Sequence, residues 1–221
     1  MIAVVDYGMG NLRSAQKGIE KAGFEARITA DPNDVLNADG VVLPGVGAFG
    51  DCYSGLADRG FVGPIREVAA RGTPLLGICV GMQLFFEGSE EGDVHTGLGL
   101  IPGRVKRFPS AKISGLKVPH MGWNQIRPVR VCPLFKYMSA NPAVYFVHSY
   151  YPSPESAEDV IAVAEYGIEF PAVVGRANVI GTQFHPEKSQ REGIALLRAF
   201  GEIVASSAPE RLAMHEPAQA I

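Results

Sequence analysis

The segment that most restricts how this chain can fold is the apolar run 73–79 with its continuation, Gly77-Ile78-Cys79-Val80-Gly81. An uninterrupted apolar run suits a strand covered on both faces, as in parallel sheets. Glycine two residues to either side of a cysteine marks a sharp strand-to-helix turn with a nucleophile at its tip. Such a turn strains the central residue and crowds its surroundings, so the flanking positions must lack side chains. It places the thiol of Cys79 at the carboxyl edge of a sheet and at a helix N-terminus. There the helix dipole favours a thiolate, and the Val80 N–H is free to meet an oxyanion. The competing reading of Cys79 is a small buried hydrophobe; Cys52 and Cys132 have no comparable context and read as fillers.

Residues 2–5, 24–28 and 40–43 repeat the short apolar pattern. Between them, residues 12–22 form an amphipathic stretch closed by Gly23, a helix-ending position, and helical patterns run over 53–71 and 81–86. Apolar strands interleaved with helices predict an α/β fold, with a mostly parallel central sheet and helices on both faces. From residue 88 the chain is punctuated by Gly and Pro, and 143–147, 160–165 and 171–176 read as short strands of a small antiparallel sheet. Strand 179–184 and helix 189–205 complete a single expected domain, 1–205; residues 206–221, polar and interrupted by proline, are expected to be a flexible tail.

Composition removes whole classes of function. Twenty basic against twenty-three acidic residues give a net charge of −3, with no cationic field for nucleic acid or anionic lipid. With 47% hydrophobic and 19% charged residues the chain can bury a sizeable core, and no run approaches the roughly 20 apolar residues of a membrane span. Three cysteines, and an opening without the basic flank and long apolar core of a secretion signal, lead us to expect a cytoplasmic protein with free thiols. The histidines and cysteines are not spaced as paired metal ligands, and neither metal nor cofactor is expected.

A thiolate needs a base. His185 ends strand 179–184 and is followed by Pro186-Glu187. A strand end puts the imidazole on the same rim as Cys79; proline halts the ladder, and Glu187 can reach back to orient the ring. In a loop after another strand, Pro44-Gly45-Val46-Gly47 can turn a peptide N–H toward the nucleophile at little steric cost, although a plain Gly-rich turn reads equally well. His148, within Tyr145-Phe146-Val147-His148-Ser149-Tyr150, reads first as a core or rim histidine.

Taken together, Gly77-Ile78-Cys79-Val80-Gly81-Met82-Gln83 and His185-Pro186-Glu187 resemble the class I (triad) glutamine amidotransferase family. Asp6-Tyr7-Gly8-Met9-Gly10-Asn11-Leu12 and Pro119-His120-Met121-Gly122-Trp123-Asn124 narrow the likeness to the glutaminase subunits of imidazole glycerol phosphate synthases, over residues 1–205. The resemblance implies hydrolysis of L-glutamine to glutamate and ammonia through a thioester on Cys79, with His185 as acid and base and Glu187 holding its tautomer. It also implies an oxyanion site at the N–H of Val46 or Gly47 and of Val80, and substrate contacts from Gln83, His148, Ser149 and Tyr150. The implied partner is a (β/α)₈-barrel cyclase subunit in a heterodimer that receives the ammonia, with Asn11, Pro119, Met121, Trp123 and Lys188 towards that interface. From the residues alone, Trp123 is either a core plug or an interface anchor, and Lys188 either a solvated helix-entry residue or an interface partner. The competing functions are a glutaminase serving another synthase, a cysteine hydrolase, and a glutamine-binding scaffold.

Overall fold

The computed structural model describes residues 1–92, 95–109 and 117–214. The strands β1 (Ile2–Val5), β2 (Ala26–Thr29), β3 (Gly40–Gly45), β4 (Leu75–Cys79) and β14 (Val179–Thr182) lie parallel in the order β2-β1-β3-β4-β14. β1, β3 and β4 are buried at every residue, which is why they read as continuous apolar runs rather than alternating ones. The sheet continues antiparallel through β13 (Glu169–Arg176), β12 (Val160–Glu165) and β9 (Arg127–Pro128), making eight strands.

Helix α1 (Leu12–Lys21) carries the chain from β1 outward to β2; α2 (Pro32–Leu36) carries it back past β1 to β3; α3 (Phe49–Asp58) and α4 (Val62–Ala70) lead on to β4. Right-handed crossovers in opposite directions put α1 on one face and α2 and α4 on the other. In agreement, α1 packs against the C-terminal helix α6 (Gln190–Met214), and α2 packs against α4. The short helix α5 (Val80–Gln83) follows β4 directly.

Two smaller sheets pack against the large one. β8 (His120–Gln125) pairs antiparallel with β10 (Ala143–His148). β5 (Gly88–Ser89), β6 (His95–Thr96), β7 (Gly103–Arg107) and β11 (Tyr150–Pro154) form the other, in the order β11-β7-β5-β6. The α/β class and the mostly parallel sheet with an antiparallel addition agree with the sequence reading, but the strands distribute differently. The predicted strands 160–165 and 171–176 extend the main sheet, and only 143–147 joins a separate antiparallel pair.

Three boundaries also differ. The single helix read over 53–71 is two, split at Gly60, whose φ of 72° no regular helix continues. α2 was not legible from apolar period at five residues, though Asp31-Pro32 announces it: the Asp31 carboxylate caps the Asn33 N–H at 2.8 Å, with proline in the first turn. The last helix does not stop at Ala205 but runs to Met214, with the hydroxyls of Ser206 and Ser207 bonded to the carbonyls of Glu202 and Ile203 inside the helix rather than capping its end. The predicted tail 206–221 is therefore helical in its first part, and residues 215–221 lie outside the described ones. Among the described residues no helix is long and apolar enough to cross a membrane.

Candidate active site

Cys79 ends β4 and precedes α5, with φ 55° and ψ −113°. A non-glycine residue held in this region carries strain of about 1–3 kcal/mol, which persists only where the surroundings over-determine it. Here they do. A Cβ on Gly81 would stand 1.9 Å from the Leu43 carbonyl oxygen, one on Gly77 2.6 Å from Met82 Cα, and one on Gly45 2.4 Å from the Gly81 nitrogen. β3 and the elbow are in backbone contact, in register Gly45 opposite Cys79, and only glycine permits that approach.

The second group arrives from the neighbouring strand. β14 ends at Thr182, and the chain leaves the sheet through Gln183 and Phe184 to His185, where a 3-10 turn, Pro186–Lys188, begins. That turn is held on both sides. The His185 N–H donates to the Tyr145 carbonyl at 3.0 Å, and the Ser189 hydroxyl donates to the His185 carbonyl at 2.7 Å. Nδ1 of His185 lies 2.8 Å from Oε1 of Glu187, and both side chains are only 2% exposed. A carboxylate only accepts, so Nδ1 carries the hydrogen and Nε2 faces away from Glu187. Nε2 has no hydrogen-bond partner among the described residues, and neither has Oε2 of Glu187. Burial works against a charge on His185. The nearby Cys79 sulfur and the hydrogen-bonded Glu187 carboxylate outweigh it and push the pKa up to about 9.

Cys79 and His185 share the wall of a cavity of about 280 Å³. Val46, Gly47, Val80, Gln83, His148, Ser149 and Tyr150 line it too, so every residue singled out from the sequence for the oxyanion site or the substrate meets here. Gly47 adopts φ 103°, and Val46 and Gly47, in the loop between β3 and α3, share the cavity wall with Cys79. His148 and His120 are neighbours, Nδ1 of His120 lying 3.1 Å from Nε2 of His148. Burial lowers His148 to about 3, helped by the nearby His120 and His185 and opposed by the hydrogen bond that His148 donates to the Tyr150 carbonyl, and burial lowers His120 to about 4. Both rings are neutral at pH 7.

The residues read as facing a partner divide. Met121 and Trp123 are 62% and 51% exposed, so Trp123 is no core plug. It stands edge-on to Tyr145, 6.1 Å between ring centroids, and the exposed Lys188 lies with Nζ 5.9 Å from the same ring. Asn11, half-buried, precedes α1 without capping it. Pro119 belongs to the cavity wall. Sequence reasoning missed two residues. Glu91 lines the cavity, its carboxylate accepting the Phe49 N–H at 2.8 Å at the start of α3, and nothing in its Gly-rich surroundings announced it. Gln183 donates from Nε2 to the Cys79 sulfur at 3.7 Å; its signal was its place two residues before His185 on the same strand end. Among the described residues, no group of three or more His, Cys, Asp or Glu side chains could hold a metal ion.

The sequence model of the family Glutamine amidotransferase class-I matches residues 3–203. The chain belongs to the class-I glutamine amidotransferases. Among curated relatives, this amidotransferase is 55% identical over 206 residues to the imidazole glycerol phosphate synthase subunit HisH of Syntrophotalea carbinolica, covering 92% of this chain and all of that one. It is 54% identical to the subunit of the same name from Geobacter sulfurreducens, over 91% of this chain and 98% of the relative. Among solved structures, a glutamine amidotransferase superposes with a TM-score of 0.72 at 17% identity, covering 93% of this chain and 100% of that one. PurLQS from Thermotoga maritima gives 0.70 at 21%, covering 94% and 98%. These two likenesses establish the amidotransferase fold.

Proposed function

We propose that the chain is the glutaminase subunit of an imidazole glycerol phosphate synthase and that Cys79, His185 and Glu187 are its catalytic triad. The observation that carries the chemistry is the pairing of a strained cysteine with a buried His185–Glu187 couple whose Nε2 is left unbonded beside one amino-acid-sized cavity. The Cys79 sulfur attacks the side-chain amide carbon of L-glutamine. The C–N bond breaks as the His185 imidazolium gives its proton to the departing ammonia, leaving a γ-glutamyl thioester. His185, now neutral, takes a proton from water as it attacks the thioester; the C–S bond breaks with its electron pair returning to the Cys79 sulfur, and glutamate leaves. Glu187 keeps Nδ1 protonated throughout, so that Nε2 is always the atom facing the reaction.

The charge that forms on the amide oxygen falls between the N–H groups of Val46 or Gly47 and of Val80. Gln83, His148, Ser149 and Tyr150 enclose the substrate, and we add Glu91, the one carboxylate among the residues of the wall, for the α-ammonium. High identity over the whole length of the HisH relatives supports a cyclase subunit as partner in a heterodimer. The exposed Met121 and Trp123, with Lys188 beside Tyr145, and Asn11 and Pro119, form the proposed docking face. Residues 1–205 are the proposed domain, and the free cysteines suit a reducing, cytoplasmic setting.

The test is Cys79→Ala in the chain assembled with its cyclase. Glutamine-dependent synthesis is expected to vanish while synthesis from ammonium salts persists. Loss of both, or retention of the glutamine-dependent rate, refutes the assignment.

A further inference from the structure

A continuous run of hydrogen bonds connects strand β8 to the nucleophile, and its polarity is fixed at both ends. The Tyr150 carbonyl can only accept. It receives His148 Nδ1 at 2.8 Å and Gln83 Nε2 at 3.1 Å, so His148 carries its hydrogen on Nδ1 and offers a lone pair at Nε2. That lone pair faces His120 Nδ1 at 3.1 Å, which must therefore be the donor, leaving His120 Nε2 to accept. Asn124 supplies the donor at 3.4 Å; its amide is oriented independently, because Oδ1 accepts the Gln125 N–H at 2.8 Å and Nδ2 donates to the Glu165 carbonyl at 2.8 Å.

On the other side of Tyr150 the same logic continues. The second hydrogen of Gln83 Nε2 goes to Gln183 Oε1 at 3.0 Å, which forces Gln183 to turn Nε2 toward the Cys79 sulfur, 3.7 Å away. His120, His148, Gln83 and Gln183 are all buried, so a member with its polarity reversed would leave donor facing donor without water to relieve it. His120 is further clamped between the rings of Phe146 and Tyr166, at 4.8 and 4.1 Å.

We propose that Gln183 donates to the Cys79 sulfur in its reactive form and that His120 is a positioning residue, holding His148 and through it the Tyr150 carbonyl in the place from which that oxygen orients Gln83 and so the Gln183 amide. This inference rests on Cys79 being the nucleophile. Its first test needs no variant. In the full chain at neutral pH, ¹⁵N–¹H correlation of the imidazole rings should show both His120 and His148 as neutral Nδ1–H tautomers, the less common form in free histidine. Either ring found with its hydrogen on Nε2, or charged, overturns the line.

The second test is the rate at which iodoacetamide alkylates Cys79, read by mass spectrometry. Gln183→Leu should slow it about tenfold at neutral pH, the low end for a hydrogen bond to an ionised group in view of the long N···S distance. His120→Phe should slow it several-fold and His120→Asn, which can set an amide N–H where Nδ1 stands, should restore it. The double variant Gln183→Leu/His120→Phe should be no slower than Gln183→Leu alone. Additive effects, or no rescue by asparagine, refute the positioning role. A wild-type Cys79 alkylated no faster than Cys52 and Cys132 would refute the nucleophile itself, a failure the ring tautomers report separately.

Discussion

Gly81→Ala tests the elbow at its tightest point. The added methyl carbon would lie 1.9 Å from the Leu43 carbonyl oxygen, 2.8 Å from the Leu43 carbonyl carbon and 3.1 Å from that of Pro44, all backbone atoms of β3. No rotamer change relieves a backbone contact, so β3 and α5 must separate by roughly 1 Å. Overpacking of this kind destabilises by about 1–3 kcal/mol, equivalent to about 3–10 °C in Tm for a chain of this size. The larger effect falls on the chemistry. Gly45 is in register with Cys79, so the same displacement moves the Val46–Gly47 loop away from the sulfur. A misplacement of about 1 Å is worth on the order of a hundredfold in rate.

The assay is glutaminase turnover of the assembled enzyme, with thermal unfolding of the isolated chain measured alongside. Gly63→Ala is the control. Gly63 is helical in α4 and, apart from its chain neighbours and its own helix backbone, nothing lies within 4 Å of the added carbon; with Pro64 opposing the helical gain of alanine, stability should shift by no more than about 1 kcal/mol in either direction and turnover should stay unchanged. Wild-type turnover and Tm in Gly81→Ala would refute the argument that the backbone approach of β3 to the elbow shapes the site.

Stability of the isolated chain should peak near pH 6.5. Above it the folded state holds a proton on His185 (folded pKa about 9) that the unfolded chain has released, so stability falls until about pH 9. Below it the unfolded chain protonates His120 and His148 while the folded state, with values of about 4 and 3, does not; each contributes a loss of about 1.4 kcal/mol per pH unit down to those values. Urea titrations between pH 5 and 9 check both limbs, and a flat profile would contradict the buried neutral pair. A glutamine-like electrophile should label Cys79 and spare Cys52, whose thiol burial pushes up to about 11, and Cys132, also raised by burial; equal labelling opposes an activated elbow thiol. Glu187→Gln should lower kcat by about a hundred- to ten-thousandfold with little change in KM, through loss of the Nδ1–H tautomer; a proportionate rise in KM instead would assign Glu187 to binding. Trp123→Ala should weaken association with the proposed cyclase partner, measured by calorimetry, while shifting the chain's own stability by no more than about 0.5 kcal/mol, because the ring is half exposed.

How much of this was legible beforehand depended on distance along the chain. The elbow was readable because its requirement is local: a strand, a nucleophile and glycine two residues to either side fall within a few residues. So was the His185–Glu187 couple, two residues apart with a proline between them. The split at Gly60 and the continuation of the last helix past Ala205 were not, because one glycine and a pair of serines are each compatible with helix or turn until their neighbours are known. Glu91 carried no local mark at all; its carboxylate matters only because α3 begins 2.8 Å away, 42 residues earlier in the chain.

By itself, then, the order of residues determined the class of fold and singled out the proposed reacting atoms, since both rest on short-range periodicity and turn chemistry. The tertiary structure decided everything that depends on which strand lies beside which: that β14 sits next to β4 and brings His185 to Cys79, that β10 lies against β8 and sets His148 on His120, and that Gln183 turns its amide to the sulfur. Hydrogen-bond direction is a property of pairs, and the pairs here are separated by up to 104 residues.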